Sequence, residues 1–202
     1  MRVPLRPYGK RAALADVESA MQAAALADWA RAAVRAGRLE VEDIVPAART
    51  VLFDGVDLRG LDELLAGWEP RSAAMTGALV EVPVRFDGPD LADVAERWGV
   101  AADEAVGRLT SVELTSAFCG FAPGFAYLAG LPEELAVPRL TSPRERVAPG
   151  SVGLAGSWCG IYPSASPGGW RIVGHTDAVL WDVDREPPAL LAPGTRVVLR
   201  AC

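Results

Sequence analysis

Two arginines in proline-flanked loops are the first residues of this chain whose types suggest ligand chemistry. Arg139 follows Pro138, and Arg144 follows Pro143. A guanidinium offers a rigid fork of hydrogen-bond donors that suits a carboxylate or a phosphate. The other interpretation is an ion pair with one of the 26 acidic residues of the chain, which would make either arginine structural.

Aromatic residues surround a Pro-Gly pair a short distance upstream. One interpretation is an aromatic wall over a ligand, with the glycine letting the backbone approach it, formed by Phe121, Pro123, Gly124, Phe125 and Tyr127. The alternative is that the two phenylalanines fill a hydrophobic core. Tyr127, and Tyr162 downstream, each carry a hydroxyl that usually needs a hydrogen-bond partner when buried.

A glycine pair lies in the segment Ser166-Pro167-Gly168-Gly169-Trp170. Backbone N–H groups of this segment, those of Ser166, Gly168, Gly169 and Trp170, could bind an anion as a nest. The alternative is a tight hairpin turn in which the glycines serve only the backbone geometry.

His175 is the single histidine of the sequence and could act as a general base near neutral pH. The other interpretation is a hydrogen-bonded structural residue. With no second histidine and no cysteine cluster, the sequence predicts no metal site. Cys119 lies in an apolar run, which favours an inert thiol. The sequence contains neither a P-loop motif nor a Gly-x-Ser-x-Gly elbow.

The composition of the chain excludes some classes of binding partner. The chain has 202 residues, a net charge of −6 and a pI near 4.9, and an acidic chain repels nucleic-acid backbones. No apolar run is long enough to span a membrane. Three cysteines without C-x-x-C spacing favour a reducing compartment. We therefore expect a cytoplasmic protein that binds neither nucleic acid nor membrane.

Helices and strands alternate over residues 1–77, which predicts a small α/β sandwich. A helix is expected over residues 18–36, where apolar residues recur at three- and four-residue steps. Asp57 is the expected N-cap of a second helix. Residues 12–17 could be a strand or the start of the first helix. The small, polar residues 71–77 are predicted to be a linker.

Residues 78–202 have short strands and frequent turns, which predict an antiparallel barrel or sandwich. Two short helices are expected near its beginning, ending at Gly99 and Leu109. Strands are expected over residues 79–84, 178–183 and 196–200. The shaped loops that join these short strands are where binding residues are expected to lie.

Several motifs together resemble a known family. The first is Gly120-Phe121-x-Pro123-Gly124-Phe125-x-Tyr127-Leu128, and the others follow in order: Pro138-Arg139, Pro143-Arg144, Pro149-Gly150-Ser151-Val152-Gly153, Gly160-Ile161-Tyr162-Pro163 and Ser166-Pro167-Gly168-Gly169-Trp170. The chain resembles the B component of the bacterial 5-oxoprolinase complex. This family is also called allophanate hydrolase subunit 1, and it includes Kip-type sporulation-kinase inhibitors.

The resemblance implies a fold and a function. The expected fold is α+β, with a ferredoxin-like α/β sandwich over residues 1–77 and a cyclophilin-like β-barrel over residues 78–202. The expected activity is hydrolysis of 5-oxoproline to glutamate that uses ATP, with or without Mg²⁺. The expected partner is the C component of the complex, which resembles allophanate hydrolase subunit 2, and the resemblance implies a third component that completes ring opening. The alternatives are allophanate or urea amide hydrolysis, and inhibition of a sensor histidine kinase. Because acid–base groups are few, we expect the chain to be inactive alone.

The chain departs from the family pattern at four positions beside the candidate site. Leu109 stands where members often carry histidine, and His175 where they usually carry arginine. Trp158 and Cys159 replace residues of a Gly-Gly-Gln-Thr segment. These departures bear on substrate and catalysis rather than on the fold.

Overall fold

The computed structural model describes residues 3–71 and 77–202. By its internal contacts the chain divides into two compact units, residues 1–74 and 75–202. Apart from Arg71 and Gly77, the predicted linker over residues 71–77 lies outside the described residues. Each unit has a hydrophobic core of its own.

Within residues 3–71, two helices pack against a four-stranded antiparallel sheet. The elements are β1 (Leu5–Pro7), β2 (Ala12–Asp16), α1 (Ala20–Arg35), β3 (Asp43–Pro46), β4 (Thr50–Asp54) and α2 (Leu58–Leu65). The sheet order is β1-β2-β4-β3, and each neighbouring pair is antiparallel. The alanine-rich stretch that the sequence leaves between strand and helix is therefore strand β2.

Both helices of this unit form where the sequence predicts them. The Ser19 hydroxyl caps α1 by accepting a hydrogen bond from the Gln22 amide at 3.2 Å. The Asp57 carboxylate caps α2 by accepting one from the Gly60 amide at 2.8 Å. Such caps satisfy amides that have no partner in the first helical turn. Helix α1 buries a face of mostly small residues: Ala23, Leu26, Ala27, Ala30 and Ala33.

The second unit consists mainly of short strands. Its elements are β5 (Leu79–Val84), α3 (Leu91–Arg97), α4 (Ala102–Ser111), β6 (Glu113–Cys119), β7 (Ala126–Ala129), β8 (Arg144–Val147), β9 (Ser151–Ala155), β10 (Trp158–Ile161), β11 (Ser166–Gly168), β12 (Arg171–His175) and β13 (Arg196–Ala201). Within residues 77–202 one seven-stranded sheet has the order β12-β9-β10-β7-β6-β13-β5. A two-stranded ribbon pairs β11 with β8.

The seven-stranded sheet nearly closes into a barrel, because the chain after β5 pairs with β12. Arg85 and His175 exchange two backbone hydrogen bonds of 2.9 and 2.8 Å. Further along, the Gly88 amide donates to the Val173 carbonyl at 3.2 Å. We call this contact between residues 85–90 and β12 the barrel seam. It satisfies backbone groups that an open sheet edge would leave free.

Aliphatic side chains fill the barrel interior, as the sequence predicts for a barrel core. They come from all parts of the sheet and from both helices and include Val82, Val84, Val94, Leu109, Leu128, Val152, Leu154, Ile161, Val173 and Leu199. Most strand pairs are antiparallel, and β13 with β5 is parallel. No helix in the described part of the chain is long and apolar enough to cross a membrane.

The strand predicted over residues 178–183 is wrong. Trp181 makes only an isolated bridge to Ala189, and Val183 already lies in a turn. The Leu180 carbonyl accepts a hydrogen bond from the Leu190 amide at 2.9 Å. Because this pairing stops after one bridge, the alternating sequence gives an extended loop rather than a sheet strand.

Candidate functional site

Aromatic side chains form a layer on the outer face of the barrel sheet. Alternate residues of β9 and β10 point into the core, while Gly153 and Gly160 lie on the outer face. A Cβ atom on Gly160 would lie 2.9 Å from the rings of both Phe125 and Trp170, and one on Gly153 would lie 3.4 Å from Tyr162. The two glycines therefore let the rings lie directly on the strand backbone.

We call this group the aromatic layer, and its members are Phe118, Phe121, Phe125, Tyr127, Trp158, Tyr162 and Trp170. Phe118 stacks on Tyr127 with ring centroids 4.4 Å apart. Phe125 meets Tyr127, Tyr162 and Trp170 edge to face at 5.1, 5.4 and 5.6 Å. Since such pairs stabilise a fold beyond the area they bury, most of this layer is packing, and the core interpretation of Phe125 fits the structure.

Phe121 differs from the rest of the layer because its side chain is 61% exposed. Its φ is +72°, and the Ala122 amide donates to the Gly120 carbonyl at 2.9 Å across it. A hydrogen bond over three residues with a positive central φ marks the rare, strained form of the γ-turn. Non-glycine residues held this way cluster at binding sites.

Pro123 and Gly124 complete the turn that carries Phe121. Pro123 is exposed, and Gly124 has a φ of +83°, which glycine adopts without steric cost. The Phe125 amide donates to the Ala122 carbonyl at 3.0 Å, and the Gly120 amide to the Phe125 carbonyl at 3.2 Å. The turn is therefore fixed by its own backbone, with the Phe121 ring outside it.

The glycine pair does not form the anion nest. Ser166 and Gly168 lie in strand β11. A nest alternates right-handed and left-handed backbone conformations, but neither Gly168 nor Gly169 has the positive φ of the left-handed one. Gly168 instead packs on the Tyr162 ring, whose Cε1 would lie 3.0 Å from a Cβ atom there. The buried Ser166 hydroxyl has no hydrogen-bond partner within residues 3–71 and 77–202.

Arg139 has a fixed backbone and a free guanidinium. The Pro138 carbonyl accepts a hydrogen bond from Arg171 Nε at 2.9 Å, and the Leu140 amide donates to the Gly169 carbonyl at 2.8 Å. The exposed Arg139 side chain makes no ion pair or side-chain hydrogen bond to any residue that the structure describes. A positioned loop that presents an unused fork is what anion recognition by arginine needs.

Tyr162 lies close enough to Arg139 for their electrostatics to be linked. Burial raises the pKa of Tyr162, and the Arg139 charge and the Trp170 backbone oppose that rise. The Tyr162 hydroxyl therefore stays protonated near neutral pH and is a donor beside the free arginine. Trp170 is buried and Tyr127 is half-buried, and both meet Phe125 edge to face.

Arg144 is held by an ion pair. Its guanidinium donates to the Asp90 carboxylate at 2.7 Å, with the two side chains 31% and 10% exposed. Asp90 also accepts the Ile172 amide at 2.6 Å, so it fastens β8 and β12 together. The structure thus favours the ion-pair interpretation of Arg144 and brings only Arg139 forward as a free cation.

His175 lies at the barrel seam. Its Nε2 atom is 2.5 Å from the Arg85 guanidinium, and its Nδ1 atom is 3.4 Å from Asp87. Asp177 lies 3.8 Å from Nε2 and pairs with Arg85 at 3.0 Å. None of these neighbours is another predicted site residue, so the geometry favours the structural interpretation of His175 over a general base.

Sequence reasoning missed three polar residues, Asp90, Asp93 and Arg171, that hold Arg144 and the Arg139 loop in place. Arg171 is 7% exposed and bonds Asp93 as well as the Pro138 carbonyl. A hydrogen bond from Arg97, and the nearby Arg171, hold the pKa of Asp93 below its usual range. Asp90 and Asp93 are three residues apart at the start of α3, and that spacing is the signal that could have found them.

Three of the residues that depart from the family pattern pack against other side chains. Leu109 and Cys159 are buried in the barrel core, and Trp158 meets Phe118 and Tyr127 edge to face in the aromatic layer. Burial raises the pKa of Cys159 to about 12 and also raises that of Cys119. Both thiols are therefore inert at neutral pH, as predicted for Cys119.

Comparison with known proteins decides the family. The model described as "Carboxyltransferase domain, subdomain C and D" matches residues 3–191, which include every candidate site residue. The chain belongs to this carboxyltransferase-domain family. Within it, the chain is 43% identical over 155 residues to a protein of Escherichia coli O157:H7 named as the B component of 5-oxoprolinase, covering 73% of this chain and 71% of that one. A Bacillus subtilis (strain 168) protein of the same name is 40% identical over 119 residues, 57% of this chain and 50% of that one.

Solved structures support the same carboxyltransferase-like fold. TTHA0988 aligns at a TM-score of 0.77 with 33% identity, over 96% of this chain but 40% of that one. The Kluyveromyces lactis urea carboxylase aligns at a TM-score of 0.75 over 99% of this chain and 22% of that one. Its identity is 19%, so it supports the fold alone. This carboxyltransferase-domain chain spans less than half of either solved chain.

Proposed function

We propose that this chain is the B component of an ATP-dependent 5-oxoprolinase that opens the cyclic amide to glutamate, together with a C component in the cytoplasm. The observation that carries the proposal is the 43% identity to a protein named as the B component of 5-oxoprolinase, over 73% of this chain. The neighbouring urea carboxylase, at 19% identity, gives no comparable support for amide chemistry on urea or allophanate.

The free arginine is the proposed contact for the substrate. The 5-oxoproline molecule carries a carboxylate, and the Arg139 fork can bind it through two hydrogen bonds. The Phe121 ring would cover the apolar face of the lactam, while the buried Tyr162 hydroxyl lies within electrostatic reach of the Arg139 charge. Ser166, whose hydroxyl is buried and without a partner among the described residues, is a further polar contact that ligand binding could use.

ATP is proposed as a substrate of the whole complex rather than of this chain alone. Phosphoryl transfer relies on several positioned charges, usually with Mg²⁺. Of the two arginines predicted for the site, only Arg139 is free of ion pairs to the described residues, and these residues contain no group of three His, Cys, Asp or Glu side chains that could hold a metal ion. The chain's own residues thus do not fit a complete ATP site, and we assign most of that site to the partner.

The finer fold assignments belong to the same proposal. A ferredoxin-like domain has the element order βαββαβ. The segment β2-α1-β3-β4-α2 follows this order up to its last strand, and β1 occupies the remaining edge of the sheet. We therefore interpret the first unit as a ferredoxin-like variant and the second as a cyclophilin-like barrel.

Turnover by reconstituted components tests the function. This chain, the C component and the third component that completes ring opening are purified separately and mixed with ATP and 5-oxoproline, urea or allophanate. The expected result is ADP and glutamate formation with 5-oxoproline only. Turnover with allophanate or urea instead, or inhibition of a sensor kinase without any turnover, would replace the proposal by one of the alternatives.

A further inference from the structure

Exposed apolar residues of the second unit are concentrated on one segment. Val179, Trp181 and Val183 are 61%, 41% and 76% exposed, while the intervening Leu180 is 3% exposed. Val179 and Trp181 flank the buried Leu180 and point to the same side of the chain. Val183 follows in the turn in which the Arg185 amide donates to the Asp182 carbonyl at 3.2 Å, and we call these three exposed side chains together the 179–183 face. Isolated exposed apolar residues are ordinary, but a contiguous patch marks an interaction surface.

The 179–183 face continues into the turn that carries Phe121. Gly124 lies directly against Trp181, since a Cβ atom on that glycine would lie 2.8 Å from the Trp181 Cβ. Phe121, three residues earlier in the same turn, is 61% exposed. The strained γ-turn thus holds one more aromatic ring in solvent beside the 179–183 face.

The border of the 179–183 face is acidic. Asp184 and Glu186 are exposed, and their carboxylates have no ion pair among residues 3–71 and 77–202. Arg185, between them, turns its guanidinium inward to the carbonyls of Val179 at 3.1 Å and Pro188 at 2.9 Å. The positive charge is therefore used internally, and the negative charges remain at the surface.

We infer that the 179–183 face, which borders Phe121 of the proposed lactam site, is the docking surface for the C component of the proposed 5-oxoprolinase, and that this partner presents an apolar centre with a basic rim. The inference rests on the proposed function. Apolar and aromatic residues at the centre with charges at the rim are the ordinary anatomy of an interface. A second copy docking through the same face would oppose its own carboxylates, which charge repulsion disfavours.

The test uses exposed valines, because their replacement leaves folding intact. In Val179→Asp and Val183→Asp a charge enters the centre of the face. The matched control is Val45→Asp, which changes a valine that is 40% exposed on β3. Binding of the immobilised C component is measured for each full-length variant, with melting temperatures recorded alongside. We expect both face variants to bind about tenfold more weakly or worse, and the control to bind like the wild type.

The acidic rim gives a second measurement. Charge complementarity acts mainly on the association rate and is screened by salt. The wild-type association rate should fall as NaCl increases, and the double variant Asp184→Lys/Glu186→Lys should associate more slowly at low salt. An association rate that is indifferent to both salt and charge reversal contradicts the basic rim.

Three outcomes would overturn the inference, and they are distinguishable from one another. Unchanged affinity in both face variants, with 5-oxoproline turnover intact in the complex, rejects the surface and leaves the proposed function standing. A wild-type chain that neither binds the C component nor supports turnover rejects both. If the wild type sediments as a dimer and Val183→Asp sediments as a monomer, a second copy of the chain occupies the face.

Discussion

Arg139 is the residue on which ligand binding should depend most. Arg139→Ala removes a charged hydrogen-bonding group without breaking any contact that holds the described structure, so its melting temperature should match the wild type. Loss of a charged hydrogen bond weakens binding by about 1.5–3 kcal/mol, which raises the 5-oxoproline Kd of the complex roughly 10- to 100-fold. Isothermal titration of the assembled complex measures this.

Arg146→Ala is the matched control for Arg139. Arg146 is also exposed and has no ion pair to the residues that the structure describes, and it lies on β8 rather than in the Arg139 loop. Equal effects of the two substitutions would point to general electrostatics. An unchanged Kd in Arg139→Ala would exclude this arginine from the site.

Arg144 should behave as a structural residue. Its removal leaves the Asp90 carboxylate, 10% exposed, without its cationic partner. Breaking a buried pair in this way destabilises a protein strongly, and the partial exposure of Arg144 puts the expected loss at roughly 3 kcal/mol of unfolding free energy. Urea denaturation of Arg144→Ala measures it, and wild-type stability together with weakened ligand binding would restore the ligand-binding interpretation.

Stability should fall at alkaline pH because of the buried thiol Cys159. The pKa of Cys159 in the folded chain is about 12, which is above the pKa of the same thiol in the unfolded chain. The stability that depends on the protonated thiol is therefore fully present below the unfolded pKa. This stability is lost as the pH rises toward the folded-state pKa. Ionisation of this thiol in the unfolded chain lowers the free energy of unfolding by about 2 kcal/mol at pH 10. Urea denaturation at pH 8 and pH 10 should show this loss in the wild type and a smaller one in Cys159→Ala, in which Cys119 and Tyr162 still contribute. Equal losses would contradict the assignment.

At the scale of elements, the barrel seam depends on close backbone approach. A Cβ atom on Gly88 would collide with the backbone of Ile172 and Val173, so Gly88→Ala should destabilise the second unit by about 2–3 kcal/mol. Gly107 in α4 has open space around it and no positive φ. Gly107→Ala should instead stabilise by about 0.5–1 kcal/mol. Thermal denaturation compares the two, and equal signs of the change would contradict the seam geometry.

Elements with local signals could be predicted from the sequence. The helix expected over residues 18–36 is α1 (Ala20–Arg35), and the Asp57 cap, β5 and β13 formed as expected. Helical periodicity and capping residues act over a few neighbouring positions, so the sequence states them directly. The motifs likewise identified the family, because their joint order covers most of the chain.

Long-range partners could not be predicted in the same way. Arg144 and Asp90 are 54 residues apart, and His175 meets Arg85 across the seam, 90 residues away. The sequence therefore could not tell which of two arginines was free. The strand predicted over residues 178–183 failed for the same reason. An alternating pattern predicts an extended chain, but it does not show whether another strand lies beside it to form hydrogen bonds.

At the scale of the whole molecule, the proposed site has few groups for amide opening among the residues that the structure describes. Arg139, Tyr162 and Phe121 are the proposed contacts of a carboxylate-bearing lactam, and His175 is engaged at the seam. A full phosphoryl-transfer site needs several placed groups. Such a chain should bind substrate weakly or moderately and leave the chemistry to an assembly.

The most direct test is 5-oxoproline-dependent ATP hydrolysis measured with components omitted one at a time. We predict no lactam-dependent ADP formation by this chain alone, none when it is left out, and full turnover when it is added back to the C component and the third component. Restoration should follow the concentration of this chain up to equal stoichiometry. Turnover by the isolated chain, or unchanged turnover in its absence, would contradict its assignment as the partner-dependent B component.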